Sequence, residues 1–137
     1  MSRLQRLILA VLILGMPGTL CAAGAMKEGM WEIATSTEMP GIPYKIPPTV
    51  VKQCYTREDV SDQKKIVASD NKDCAVTDFK SSGNKVAWTM KCTGEHSGTF
   101  KGETTFSSDS YTSVMKMETE GQVITMNVKA KRVGACP

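Results

Sequence analysis

Hydrophobic and polar residues alternate along most of the chain beyond residue 26, which is the period-two pattern of half-buried β-strands. Short clusters of turn residues, such as Ser82-Gly83-Asn84 and Glu120-Gly121, interrupt the pattern at close intervals. These features predict a mainly β fold, an antiparallel meander of about seven strands. The predicted strands lie at residues 30–37, 50–55, 74–80, 85–91, 98–106, 111–118 and 122–132.

The last two turns predict the register of the sheet, because a two-residue hairpin loop determines which residues lie opposite one another. A loop at Glu120-Gly121 places Met115 opposite Met126. A loop at Ser108-Asp109 places Phe106 opposite Tyr111. Both registers bring apolar residues to one face and charged residues to the other. The predicted inner face contains Trp31, Ile33, Val86, Trp88, Met90, Phe100, Phe106, Tyr111, Met115, Met117, Ile124, Met126 and Val128.

A single sheet with one apolar face must close on itself or be covered by other elements. We therefore expect the meander to curl into a small barrel or half-barrel. Residues 57–68 are predicted to form one short helix, with Thr56 as its N-cap and acidic residues in its first turn. Either this helix or the proline-rich segment at residues 39–48 is expected to plug one end.

The first 25 residues have the features of a cleaved export signal. Arg3 and Arg6 precede an apolar run at residues 7–14, which is too short to span a bilayer, and small residues follow. Cleavage is predicted after Ala25, or alternatively after Ala23. A lipid anchor on Cys21 is disfavoured because Leu20, which is not a small residue, precedes it. We expect residues 26–137 to form a single disulfide-stapled β domain, periplasmic or secreted in a bacterium, with no transmembrane segment after cleavage.

The net charge argues against a nucleic-acid partner. The full chain carries +3, from 17 basic and 14 acidic residues. Loss of Arg3 and Arg6 with the signal leaves 15 basic residues and a net charge of +1. Apart from residues 129–132 the chain has no basic run, so the electrostatic footprint that phosphate binding requires is missing.

Four cysteines remain beyond the signal, an even number that predicts two disulfides in an oxidising compartment. Strand parity favours Cys74 with Cys92 and Cys54 with Cys136, provided that a three-residue loop joins the third and fourth strands. The competing scheme pairs Cys54 with Cys74 and Cys92 with Cys136, and the sequence leaves both open. A structural zinc site is disfavoured because no closely spaced Cys or His pairs occur.

Several short motifs resemble those of a known family. They are Gly29-Met30-Trp31-Glu32, the segment at residues 39–43, Gln53-Cys54, Asp73-Cys74, Lys91-Cys92-Thr93-Gly94 and the ending at residues 131–136. With their ordered cysteines they are similar to the exported bacterial domain-of-unknown-function 3617 family, over nearly all of residues 26–137. That family has no settled activity, so the resemblance implies no catalytic or binding residues here.

Catalytic chemistry is poorly supported by the residues themselves. His96 is the single histidine, and a hydrolase would use it as a base for Ser97 or a more distant serine, oriented by an acid such as Asp109. No Gly-x-Ser-x-Gly motif accompanies it. Glu103 and Glu118 are predicted on the polar face, where they do not form an enclosed pair of acids. We expect no catalytic residues, no enzyme activity and no cofactor.

Two other features suggest binding. Met90, Met115, Met117 and Met126 are predicted on the inner face, and thioethers are ligands suited to Cu(I), although methionines also simply fill irregular cores. The proline-rich segment could be a lid over an apolar cavity, a strip for an envelope protein, or a stiff connection. The most favoured function is a non-catalytic binding or interaction module, with Cu(I) handling as the alternative. Candidate ligand or partner residues are Met39, Ile42, Tyr44, Ile46, Trp88, Phe100 and Tyr111.

Overall fold

A computed structural model describes residues 26–68 and 72–137 of the chain. The predicted export signal at residues 1–25 lies outside the described residues. Within them the chain forms seven strands and two short helices. The strands are β1 (Gly29–Glu38), β2 (Thr49–Tyr55), β3 (Cys74–Ser82), β4 (Lys85–Cys92), β5 (Gly98–Phe106), β6 (Ser110–Thr119) and β7 (Gln122–Gly134), and the helices are α1 (Arg57–Ser61) and α2 (Gln63–Val67).

All seven strands belong to one antiparallel sheet, in the order β2-β1-β7-β6-β5-β4-β3. The mainly β prediction is therefore confirmed. Among the described residues β2 and β3 each have one neighbouring strand, so the sheet is a curled, open one rather than a closed barrel. The half-barrel alternative describes it correctly.

The predicted register of the hairpins is confirmed. Met115 lies opposite Met126 across β6 and β7, and Phe106 lies opposite Tyr111 across β5 and β6. Glu120 and Gly121 both have positive φ, 46° and 77°, as a two-residue type I′ turn requires. All thirteen residues predicted on the inner face are buried or half-buried.

The connection between β3 and β4 differs from the prediction. Ser82 lies opposite Lys85, so the loop is Gly83-Asn84 and has two residues instead of three. An irregularity between Val76 and Asp78 adds one residue to β3. This bulge restores the alignment that the shorter loop would have lost, and Cys74 still lies opposite Cys92.

The cysteine pairs are those favoured by strand parity, Cys54 with Cys136 and Cys74 with Cys92. Their Cα atoms are 5.5 Å and 4.0 Å apart, respectively. The first bridge ties edge strand β2 to the segment after β7, and the second ties edge strand β3 to β4. Both open edges of the sheet are thus covalently attached to the rest of the domain.

The helical segment is also more broken than expected, since two helices replace the predicted single one. Thr56 caps α1 in a reciprocal capping box with Asp59. Asp62 has an extended backbone, ends α1 and caps α2 by accepting a hydrogen bond from the Lys64 amide. Because the chain leaves edge strand β2 and returns at edge strand β3, these helices connect the two edges of the sheet.

The core lies on the concave face and is densest at one end. Trp31 and Phe106 are fully buried there, and Tyr55 and Tyr111 pack around them with ring centroids 5.8 to 6.2 Å apart. Burial decreases toward the other end of the sheet, where Met115, Met117, Ile124 and Met126 are half-buried. Val60, Ile66 and Val67 of the helices pack against this core.

Candidate functional site

A partly open cavity of about 530 Å³ lies between the concave face and α2. Apolar side chains form most of its wall, and the wall includes the inner-face residues that are half-buried, such as Phe100 and Met115. A volume of this size is typical of sites for small molecules. The apolar lining consists of Ile33, Ile66, Val67, Ala68, Trp88, Met90, Phe100, Met115, Met126 and Val128, with the Cys74 and Cys92 pair.

The shape of the cavity depends on a close contact between β4 and β5. Trp88 lies directly opposite Gly102, and its ring lies against the glycine backbone, so that a Cβ atom at position 102 would overlap the ring. Gly102 is needed here because it allows the close approach of an aromatic ring.

A row of polar groups crosses the middle of this apolar wall. Thr104 and Ser113 lie opposite each other on β5 and β6, and their hydroxyl oxygens are 2.8 Å apart. The Trp88 indole donates a hydrogen bond of 3.1 Å to the Thr104 hydroxyl. Thr104 is 1% exposed and Ser113 is 7% exposed, so the three groups form a buried chain of hydrogen bonds.

A second pair of hydroxyls lies toward the closed end of the cavity. The oxygens of Tyr55 and Tyr111 are 3.4 Å apart, and both residues line the cavity. Burial raises the pKa of the Tyr55 hydroxyl, and burial together with the hydrogen bond to Tyr55 raises the pKa of Tyr111 strongly. Both groups therefore stay protonated, and able to donate, throughout the physiological pH range.

The described lining residues include two side chains that can carry a positive charge, Lys65 and His96, and no carboxylate. Lys65 forms an ion pair of 2.6 Å with Glu58 on the outer side of the helices. The Lys65 charge is therefore compensated by Glu58, and no described lining residue carries a negative charge.

The ligand or partner candidates predicted from the sequence fall into two separate groups. Trp88, Phe100 and Tyr111 line the cavity. The proline-rich segment instead surrounds its own hollow of about 520 Å³, and none of the described residues 39–48 lines the cavity. The structure therefore places α2, and not this segment, over the concave face. The candidates in the second hollow are Met39, Ile42, Tyr44 and Ile46.

Three of the four predicted metal candidates are brought together. Met90, Met115 and Met126 line the cavity, whereas Met117 is not among its described lining residues. No group of three or more His, Cys, Asp or Glu side chains suited to a metal ion occurs in the described part of the chain.

The residues of the hypothetical hydrolase site do not lie close together. His96 is exposed in a single 3-10 turn, Gly94–His96, just before β5 begins. Asp109 follows the other end of β5 and pairs with Lys27 at 3.2 Å. The length of strand β5 thus separates the histidine from the acid that would orient it.

Sequence reasoning missed the polar row, and it left the helical cover open as one of two alternatives. Thr104 and Ser113 have the same strand parity as the predicted inner-face residues, so the register itself was a signal that they point inward. The sequence did not decide between the helical segment and the proline-rich segment as the cover, because the positions of both depend on the long-range order of strands in the sheet.

No helix within the described ranges combines the length and the hydropathy needed to cross a membrane. The model of a family described as "Protein of unknown function (DUF3617)" matches residues 26–136. The chain belongs to this family. No curated protein and no solved structure matches the chain.

Proposed function

We propose that the protein is an exported binding protein that holds one small, mostly apolar molecule between the concave face of its sheet and α2. The observation that carries this proposal is the cavity of about 530 Å³, with an apolar wall and a few buried polar groups. This composition is characteristic of sites that hold small molecules. The proposed role is binding rather than catalysis.

Two findings support export to an oxidising compartment. The two cysteine pairs tie down both edges of the sheet, and disulfides of this kind persist outside the cytoplasm. In addition, the family match starts at residue 26, directly after the favoured cleavage position. We therefore propose a periplasmic or secreted protein.

The binding proposal is tested by titrating the folded protein with 1-N-phenylnaphthylamine, a dye whose fluorescence rises in apolar surroundings. Two neighbouring positions on β6 give matched variants, because Met115 lines the cavity and Val114 is exposed on the opposite face. We expect saturable binding to the original protein, at least about tenfold weaker binding to Met115→Trp, and unchanged binding to Val114→Trp.

The contradicting results are equally specific. Absence of saturable binding to the original protein would overturn the proposal. Equal affinity of Met115→Trp and Val114→Trp would place the dye elsewhere on the surface. Far-UV circular dichroism and thermal melting establish that both variants fold before their affinities are compared.

One observation favours Cu(I) as a second candidate ligand. Met115 and Met126 lie directly opposite each other, and both line the cavity together with Met90 and His96. Thioether and imidazole groups are suitable ligands for Cu(I). If this candidate is correct, anaerobic Cu(I) raises the melting temperature of the original protein, and the double variant Met115→Leu/Met126→Leu loses that rise. No rise with Cu(I) in the original protein would eliminate it.

A further inference from the structure

The hydrogen bonds in the cavity wall contain information about the molecule that the cavity receives. The chain Trp88, Thr104 and Ser113 begins at an indole N–H, which can only donate. Each of the two hydroxyls that follow has one proton of its own. One proton forms the bond between Thr104 and Ser113. Whichever hydroxyl donates in that bond, the other hydroxyl proton remains.

Among residues 26–68 and 72–137 the side-chain hydrogen bonds of Thr104 and Ser113 are those with Trp88 and with each other. Within these ranges the remaining proton therefore has no acceptor. Both residues are more than nine-tenths buried, and both line the cavity. A hydroxyl at the end of such a chain is a strengthened donor, because each hydrogen bond polarises the next.

The apolar groups around these hydroxyls add a second constraint. Val86 and Val128 lie opposite Thr104 and Ser113, respectively, on the neighbouring strands. The polar row therefore has apolar side chains on both sides and is small compared with the wall around it. A fitting molecule is mostly apolar and has an acceptor that lies beside the polar row.

We propose that the ligand of this cavity is an apolar molecule bearing an acceptor oxygen, such as a carbonyl, which receives the hydroxyl proton of the Trp88, Thr104 and Ser113 chain. This inference rests on the proposed binding function and specifies the chemical class of its ligand. An ammonium group is disfavoured, because no carboxylate is among the described lining residues. An ammonium group can only donate hydrogen bonds, and the polar row likewise presents a donor.

The test compares three compounds with similar apolar bodies, by isothermal titration calorimetry on the folded protein. Hexylbenzene has no acceptor, hexanophenone has a carbonyl in place of one methylene, and 6-phenylhexylamine has an ammonium group. We expect hexanophenone to bind about tenfold more tightly than hexylbenzene, as one well-placed hydrogen bond gives. The amine is expected to bind no more tightly than hexylbenzene.

Two variants test whether the tighter binding of the carbonyl compound depends on the polar row. The double variant Thr104→Val/Ser113→Ala removes both hydroxyls of the row and is expected to reduce the advantage at least about threefold. Thr112→Ala removes a neighbouring hydroxyl from the exposed face of β6 and is expected to leave it unchanged. Thermal melting confirms that both variants are folded.

The outcomes separate this inference from the proposed function. Equal affinities for hexanophenone and hexylbenzene would overturn the inference and leave an apolar binding protein. An equally tight amine, or an advantage that persists in the double variant Thr104→Val/Ser113→Ala, would also overturn it. If none of the three compounds binds and the dye does not bind either, the proposed function itself fails.

Discussion

At position 102 the absence of a side chain lets the Trp88 ring lie against the backbone of β5 and form part of the cavity wall. Alanine at this position would force the ring away. We predict that Gly102→Ala lowers the free energy of unfolding by about 1–3 kcal/mol, the usual cost of overpacking. Urea unfolding followed by tryptophan fluorescence measures this change.

The matched control for that variant is Gly98→Ala on the same strand. A Cβ atom at position 98 would lie 3.6 Å from the Met117 Cγ atom, which is an ordinary contact. The unfolding free energy of Gly98→Ala should stay within about 0.5 kcal/mol of the original value. Similar losses in both variants would show that the Trp88 contact has no special role.

The buried tyrosines make stability depend on pH in the alkaline range. Burial raises the pKa of Tyr55 and Tyr111 above the ordinary value of 10.0. The folded state therefore keeps protons that the unfolded chain releases. Their contribution is complete below about pH 10 and decreases above it, by up to about 1.4 kcal/mol per pH unit for each tyrosine.

Urea unfolding between about pH 9 and 11 tests this dependence, because that window brackets the pKa of an unfolded tyrosine. Tyr111→Phe should show a shallower loss of stability with pH than the original protein. Tyr44→Phe is the control, since Tyr44 is 70% exposed. Identical slopes in both variants would contradict the role given to Tyr111.

At the level of elements, the cover of the cavity depends on how the helices begin. The Thr56 hydroxyl accepts a hydrogen bond from the Asp59 amide, and the Asp59 carboxylate accepts one from the Thr56 amide. Thr56→Ala should cost about 1 kcal/mol, whereas Thr56→Ser keeps the cap and most of the stability. Hydrogen exchange of the α1 amides measures the effect directly. Unchanged protection in Thr56→Ala would contradict it.

The strands and their register could be predicted because two-residue loops and alternating residues determine them locally. The bulge in β3 was only weakly indicated by the residue pattern. Val76 and Phe79 both pack inward although their positions differ by three, whereas residues on one face of a regular strand differ by an even number. Which segment covers the cavity could not be predicted in this way, because both the proline-rich segment and the helices are connections that contain apolar residues. Their positions follow from the order of strands in the sheet, which is a long-range property.

At the scale of the whole molecule, the two disulfides stabilise the open sheet to different extents. Their cysteines are separated by 82 and 18 residues. Restriction of the unfolded chain predicts contributions of about 4.5 kcal/mol for Cys54 with Cys136 and about 3 kcal/mol for Cys74 with Cys92. Unfolding of the two double Cys→Ala variants in urea should show the larger loss for the first pair. The reverse order would contradict this account.

The central claim is that the concave cavity holds an apolar molecule, and methyl NMR of the methionines tests it most directly. The protein, with ¹³C-methyl methionine, is titrated with hexanophenone. The account predicts saturable shifts of the Met90, Met115 and Met126 methyl signals, while Met39, which lines the other hollow, stays unchanged. A titration that shifts Met39 and leaves the three cavity methionines in place would contradict it.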